Sequence, residues 1–123
     1  MNSEIVSKGA PAPIGPYSQA VDAGAVYCSG QIGADPQTGA LAEGVAAQTR
    51  RALTNLGSVL SQAGLGMGNV VKTTVFMVDL SEFQQMNEEY AKHFNRPFPA
   101  RSTVQVAALP KGARVEIDAV AVR

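Results

Sequence analysis

A chain of 123 residues, 46% hydrophobic and 16% charged, carries enough apolar material for one ordered core and is not composed like a disordered segment. Its ten basic and ten acidic residues cancel, which argues against a nucleic-acid binder that works through a basic face. A single cysteine, Cys28, leaves no internal disulfide and fits a reducing compartment. The stretch 1–15 lacks the apolar centre of a signal peptide, and no apolar run approaches the roughly 20 residues that span a bilayer. We therefore expect one domain over residues 1–123 and a cytoplasmic location.

Glu4-Ile5-Val6 reads as a short first strand. Three prolines and two glycines between Gly9 and Pro16 predict irregular chain. Tyr17–Val21 and Val26–Ser29 read as strands, with Asp22-Ala23-Gly24-Ala25 as a hairpin turn between them. Gly30 to Ala34 extends the second of these or starts a third, and Asp35-Pro36-Gln37-Thr38-Gly39 is a turn. The spacing of Val45, Ala52, Leu53, Leu56, Val59, Leu60 and Ala63 predicts a helix over 44–63. Arg50, Arg51, Asn55 and Gln62 fall off its apolar face, and Gly64 is placed to end it.

Asn69 to Val78 is the strongest predicted strand. Both of its faces are largely apolar, so it is expected to be covered on both sides. Asp79 and Glu82 have the spacing of a capping box for a second helix over about 80–94, with Phe83, Met86, Tyr90 and Phe94 as its stripe. Two final strands, Arg101–Ala107 and Arg114–Val122, flank the turn Pro110-Lys111-Gly112 and invite pairing as a hairpin. The expected architecture is α+β, with two helices on one face of a sheet of about six strands. Such a sheet leaves Val75, Val120 and their neighbours partly bare on the other face, and apolar patches of that size mark interfaces.

Arg101 and Glu116 are the first candidates for chemistry. A carboxylate inside an apolar strand is costly unless it is exposed, paired or used. Arginine's planar fork suits a carboxylate ligand, and a glutamate can orient a water and take its proton. Read alone, a structural ion pair or two solvated strand ends is the simpler interpretation. In a hairpin about Lys111, Arg101 would lie opposite Ala121, and Glu116 about five residues, or roughly 16 Å, away along the strand. The two would then meet only across an interface.

Other patterns carry less. Gly64-Leu65-Gly66-Met67-Gly68 runs from helix to strand, the reverse of a dinucleotide loop. The one histidine, His93, sits near a helix end, and no His/Cys cluster has metal-ligand spacing.

Pro99-Ala100-Arg101-Ser102, Leu109 and Val115-Glu116-Ile117 resemble the signature of the RidA/YjgF reactive-intermediate deaminases. Upstream, Ile14-Gly15-Pro16-Tyr17-Ser18, Ser29-Gly30-Gln31 and Val71-Lys72-Thr73-Thr74-Val75-Phe76 match in the family's order, so the resemblance spans the chain. It implies a chorismate-mutase-like fold and a homotrimer with sheets inward and clefts between subunits. It also implies cofactor-free hydrolysis of 2-imino acids, such as 2-iminobutanoate and 2-iminopropanoate, and of their enamine tautomers to 2-oxo acids and ammonia. By position, Arg101 would hold the substrate carboxylate and Glu116 would activate water. Tyr17 would hydrogen-bond ligand or water, with Ser29, Gly30 and Thr103 lining the cleft. Thr103 departs from the family, where many members carry cysteine. Two other readings remain: an endoribonuclease or translation inhibitor, and a trimer that binds carboxylate ligands without catalysis.

Overall fold

The structure, a computed structural model, describes residues 2–123. Six strands form one mixed sheet: β1 Ser3–Ile5, β2 Ala20–Ala23, β3 Ala25–Ile32, β4 Val70–Met77, β5 Ala100–Gln105 and β6 Val115–Ala121, in the spatial order β1-β2-β3-β6-β4-β5. Only β4 and β5 run parallel. Two helices, α1 Val45–Gln62 and α2 Phe83–Ala91, cover one face. The core lies between them and the sheet, where Leu53, Leu56, Val59, Leu60 and Met86 meet Val26, Val75, Met77, Val115 and Ile117. No helix among the described residues is long and apolar enough to cross a membrane.

Local signals held where they were short-range. Gly24, at φ 97°, is the single residue connecting the paired Ala23 and Ala25, a conformation that needs no Cβ. Asp35 Oδ1 accepts from the Gln37 and Thr38 amides, which closes the 35–39 turn. Gly64, at φ 77°, follows the end of α1. Asn55, however, is fully buried rather than off the apolar face, because its Nδ2 donates to the Ile32 and Ala34 carbonyls and satisfies the end of β3.

The second helix begins later than its spacing predicts. Asp79 does cap, accepting from the Ser81 amide, but it caps a short 3-10 turn over Leu80–Glu82. Glu82 does not return to the cap. Its carboxylate accepts from Arg114 Nε at 2.7 Å, a stronger, charge-assisted partner than a backbone amide. The helix also stops at Ala91, so His93 lies past its end and bonds Glu89, a buried carboxylate that Arg50 also reaches from α1.

The last two strands are not a hairpin. β5 pairs in parallel with β4, and β6 inserts between β3 and β4. The β4-α2-β5 crossover is the usual way to join parallel neighbours. It sends β5 to the sheet edge while the more apolar β6 takes a central place.

A register shift between Val70 and Lys72 reverses the side-chain phase at the start of β4. From Thr73 onward the odd positions face the helices, so Val75 is fully buried. The open face carries Thr74, Phe76, Glu116, Asp118 and Val120, all half-buried, with Tyr27 and Val104 exposed. Within the chain β4 is thus covered on one side only, and Phe76, not Val75, accompanies Val120 on the bare side.

Candidate active site

Arg101 lies beside Thr73 in the β4–β5 ladder, and so projects from the sheet edge toward α2. Its guanidinium stacks over Tyr90, 4.8 Å from the ring centroid, and lies 5.6 Å from that of Phe83. Tyr90 is itself held by a 2.8 Å hydrogen bond between its hydroxyl and that of Thr73, so the platform beneath the arginine is fixed. Asn87, Tyr90, Ala91, Phe98 and Pro99 join Arg101 around a cavity of about 340 Å³.

Among the described residues, Arg50, Arg51, Arg114 and Arg123 each meet a carboxylate, whereas Arg101 meets none. Beside it, Asn87 Oδ1 and Thr103 Oγ1 are buried without a hydrogen-bond partner among the described residues. A stacked guanidinium fork with no carboxylate partner, set in a cavity, has the chemistry to receive a small anion.

Glu116 projects from the opposite face. β3 bulges between Cys28 and Gln31, placing three residue steps against the two from Ala119 to Ile117 on β6. Gly30 falls in this bulge, and the Glu116 carboxylate lies over it. A Cβ built on Gly30 would come within 2.4 Å of Glu116 Oε2 and 2.8 Å of its Cδ. Tyr17, Gly30, Ile32, Ala34, Pro110, Lys111 and Glu116 help line a cavity of about 90 Å³, walled on its outer side by the 11–14 loop.

That loop is pinned by Gln19, a buried side chain that accepts from the Ser7 amide and donates to the Ser7 and Pro11 carbonyls. Tyr17 precedes β2 rather than starting it; it is 49% exposed, and its hydroxyl accepts from the Ile14 amide at 3.4 Å. Ser29 spends its hydroxyl within the chain, donating to the Ser18 carbonyl at 2.6 Å, which ties β3 to the segment that carries Tyr17.

The chain therefore gathers Tyr17, Gly30 and Glu116 in one cavity and Arg101 and Thr103 at another place. In register, Glu116 aligns with Phe76 and Val104, while Arg101 aligns with Thr73. Three residues along and two strands across make a backbone separation of about 14 Å, and the two side chains leave opposite faces. The inference that they do not meet within one subunit survives, although the hairpin on which it rested does not. Sequence reading missed Asn87 and Gln19. Asn87 had a signal, a polar residue three positions before Tyr90 on the stripe of α2; Gln19 had none, since its partners are backbone groups of a loop without periodicity.

Burial raises the Glu116 carboxyl above the usual carboxylate range, and the neighbouring Asp118 adds like-charge repulsion. Asp118, two residues along the same face, accepts from the Thr74 amide at 2.9 Å. A carboxylate serving as a base must be ionised, so any activity that depends on Glu116 in that role would fall as pH drops through its pKa. Asp118→Asn keeps an acceptor for Thr74 and removes the repulsion. The acid limb of the pH–rate profile should then move to lower pH, and an unmoved or upward-shifted limb would remove Asp118 from this role.

Burial pushes the Cys28 thiol up to about 11, as befits an inert core cysteine. Among the described residues no three His, Cys, Asp or Glu side chains gather as metal ligands would.

Residues 7–123 match the family model described as endoribonuclease L-PSP. A protein of Salmonella typhimurium named 2-iminobutanoate/2-iminopropanoate deaminase is 51% identical over 100% of this chain and 99% of its own. A human protein of the same name is 53% identical over 97% of this chain and 88% of its own. The crystal structure of Escherichia coli TdcF with bound serine superposes with a TM-score of 0.95 at 45% identity, over 98% of each chain. With the motifs, the six-stranded mixed sheet and matches that run its full length, the chain belongs to the RidA/YjgF family, whose model bears the endoribonuclease L-PSP description.

Proposed function

We propose that this chain is a 2-imino acid deaminase whose site is completed between subunits of a homotrimer, with Arg101 from one subunit and Glu116, Tyr17 and Gly30 from the next. The observation that carries the reading is the separation of two unpaired, complementary groups. Arg101 and Glu116 each line a cavity, lack an ion-pair partner among the described residues, and leave opposite faces of the sheet. One chain holds two half-sites; a cyclic assembly in which one subunit's β5 edge meets the next subunit's open face would join them. The half-bare apolar face with Tyr27, Phe76, Val104 and Val120 supports burial against a second copy.

The chemistry follows from the groups. The Arg101 fork binds the α-carboxylate of the imine. Glu116 orients a water and takes its proton as the oxygen attacks the C=N carbon. Glu116 returns that proton to the nitrogen to give the carbinolamine, then takes the hydroxyl proton and passes it to the nitrogen as the C–N bond breaks, so that ammonia leaves and the 2-oxo acid forms. A carboxyl whose pKa is raised by burial holds a proton more readily than an exposed carboxylate, which suits a group that both takes and returns one. Tyr17 offers its hydroxyl to the same water or nitrogen. That TdcF holds serine, a small amino acid with an α-carboxylate, supports a site of this size and charge.

A coupled assay tests the reading. A threonine or serine dehydratase supplies the imine and semicarbazide competes for it. The purified protein should accelerate 2-oxo acid formation and suppress trapped imine. No acceleration, with a small 2-oxo acid still bound, would leave a carboxylate-binding protein instead. The ribonuclease reading draws on the family model's description, but the one histidine is bonded to Glu89 outside both cavities.

A further inference from the structure

The 90 Å³ cavity over Glu116 has one other charged residue in its wall, Lys111. Pro11, Ala12, Ile14, Ile32, Ala34 and Pro110 make the rest of the wall largely apolar. Lys111 is also the only non-glycine residue among those described with positive φ, at φ 58° and ψ 20°. That region disfavours a side chain with a Cβ, and glycine would adopt it freely.

The turn gives Lys111 little room to escape. The Gly112 amide donates to the Leu109 carbonyl, Ala113 to Pro110, and the Arg114 amide to Gln48 Oε1 at 2.7 Å, which fastens the turn to α1. A strained lysine is thus held in the cavity wall, its ammonium turned toward Gly39 in the 35–39 turn. Its ammonium is only loosely engaged, 3.5 Å from the Gly39 carbonyl, and it meets no carboxylate among the described residues. Strain of this kind persists where the surroundings impose it, and it clusters at ligand sites.

We propose that Lys111 reads the side chain of the substrate and extends the site to 2-imino dicarboxylates. This rests on the deaminase reading. With the α-carboxylate on Arg101 and the imine carbon beside Glu116, the substrate's side chain enters the apolar-walled cavity. Small alkyl groups fill it. A side chain ending in a carboxylate brings its charge to the cavity wall, where the Lys111 ammonium exchanges the Gly39 carbonyl for an ion pair. Without that cation the acid would face apolar walls and the Glu116 carboxylate, and would be rejected by both.

The test compares two imines generated in place by an amino-acid oxidase, one from alanine and one from aspartate, with semicarbazide trapping as the readout. Wild type should accelerate hydrolysis of both. In Lys111→Met the ratio of kcat/KM for the aspartate-derived imine to that for the alanine-derived imine should fall at least 10-fold, mainly through KM. Lys111→Arg should retain most of that ratio. Lys111→Gly should lower the ratio as Met does while its melting temperature holds or rises, which separates the charge from the backbone strain. An unchanged ratio in Lys111→Met, or no acceleration of the aspartate-derived imine by wild type, overturns the proposal while leaving the deaminase reading intact. Acceleration of neither imine overturns both.

Discussion

In the trimer proposed above, Arg101→Ala and Glu116→Gln subunits, each nearly inactive alone, should regain about a third of the wild-type rate when co-expressed in equal amounts and purified as mixed trimers. Separately, the losses are large for different reasons. Removing the fork leaves the substrate carboxylate without its charged partner, which costs about 2–5 kcal/mol and lowers kcat/KM by roughly 10²–10³-fold or more. Replacing the base with an amide keeps shape and hydrogen bonding but removes the proton acceptor, a loss of about 10²–10⁴-fold expressed mainly in kcat.

Their recovery on mixing depends on where each residue stands. Arg101 leaves the helix-covered face at the β5 edge, and Glu116 leaves the open face of β6. In a mixed trimer, an interface at which the Glu116→Gln subunit supplies Arg101 and the Arg101→Ala subunit supplies Glu116 is intact. Every mixed trimer, whichever variant it holds two of, has one such interface in three, and selection for both tags removes the unmixed trimers. If both residues served a site within one chain, no mixture would recover, and purification with two different tags makes that outcome unambiguous. Sedimentation of each variant is the necessary companion measurement, and both should keep the wild-type assembly state.

Gly30→Ala should cost nearly as much as Glu116→Gln, although it removes no functional group. The added methyl would sit 2.4 Å from Glu116 Oε2 and 2.9 Å from Cγ, closer than such atoms approach, so the carboxylate must swing away. Displacing a reacting group by about 1 Å lowers a rate by about 10²-fold. Gly30 has no positive φ, so the backbone itself tolerates alanine and the protein should fold. The expected result is a normal melting temperature with kcat reduced about 100-fold. Wild-type turnover by Gly30→Ala would show that the carboxylate position over the bulge is immaterial to the chemistry, and Glu116 would lose its role.

These expectations draw on two kinds of information. Alternation along β6 announced that Glu116 and Asp118 share one face while Val115, Ile117 and Ala119 share the other, and the burial pattern agrees. The stripe of α1, the turn at Asp35–Gly39 and the glycine after α1 were equally plain. Each depends on residues within a few positions of one another, where sterics and periodicity act without reference to the rest of the chain.

Other features required the assembled sheet. The turn at Pro110-Lys111-Gly112 is present, yet the strands on either side of it do not pair. Turn chemistry reverses a chain but does not choose its neighbour; that choice follows from which strands bury the most apolar surface and from the path of the β4-α2-β5 crossover. Glu82 could satisfy a cap by its spacing and instead took Arg114, 32 residues away. The bulge that brings Gly30 under Glu116 is a register event between strands far apart in sequence, invisible to any reading of β3 alone. The sequence by itself determined most of the elements, the alternation of β6 and, through the family motifs, the residue types that resemblance ties to imine hydrolysis. Only the tertiary structure decided that Arg101 and Glu116 stand on opposite sides of one sheet, because strand order and register are set by contacts between distant segments, and a strand's own pattern specifies its faces but not its partners.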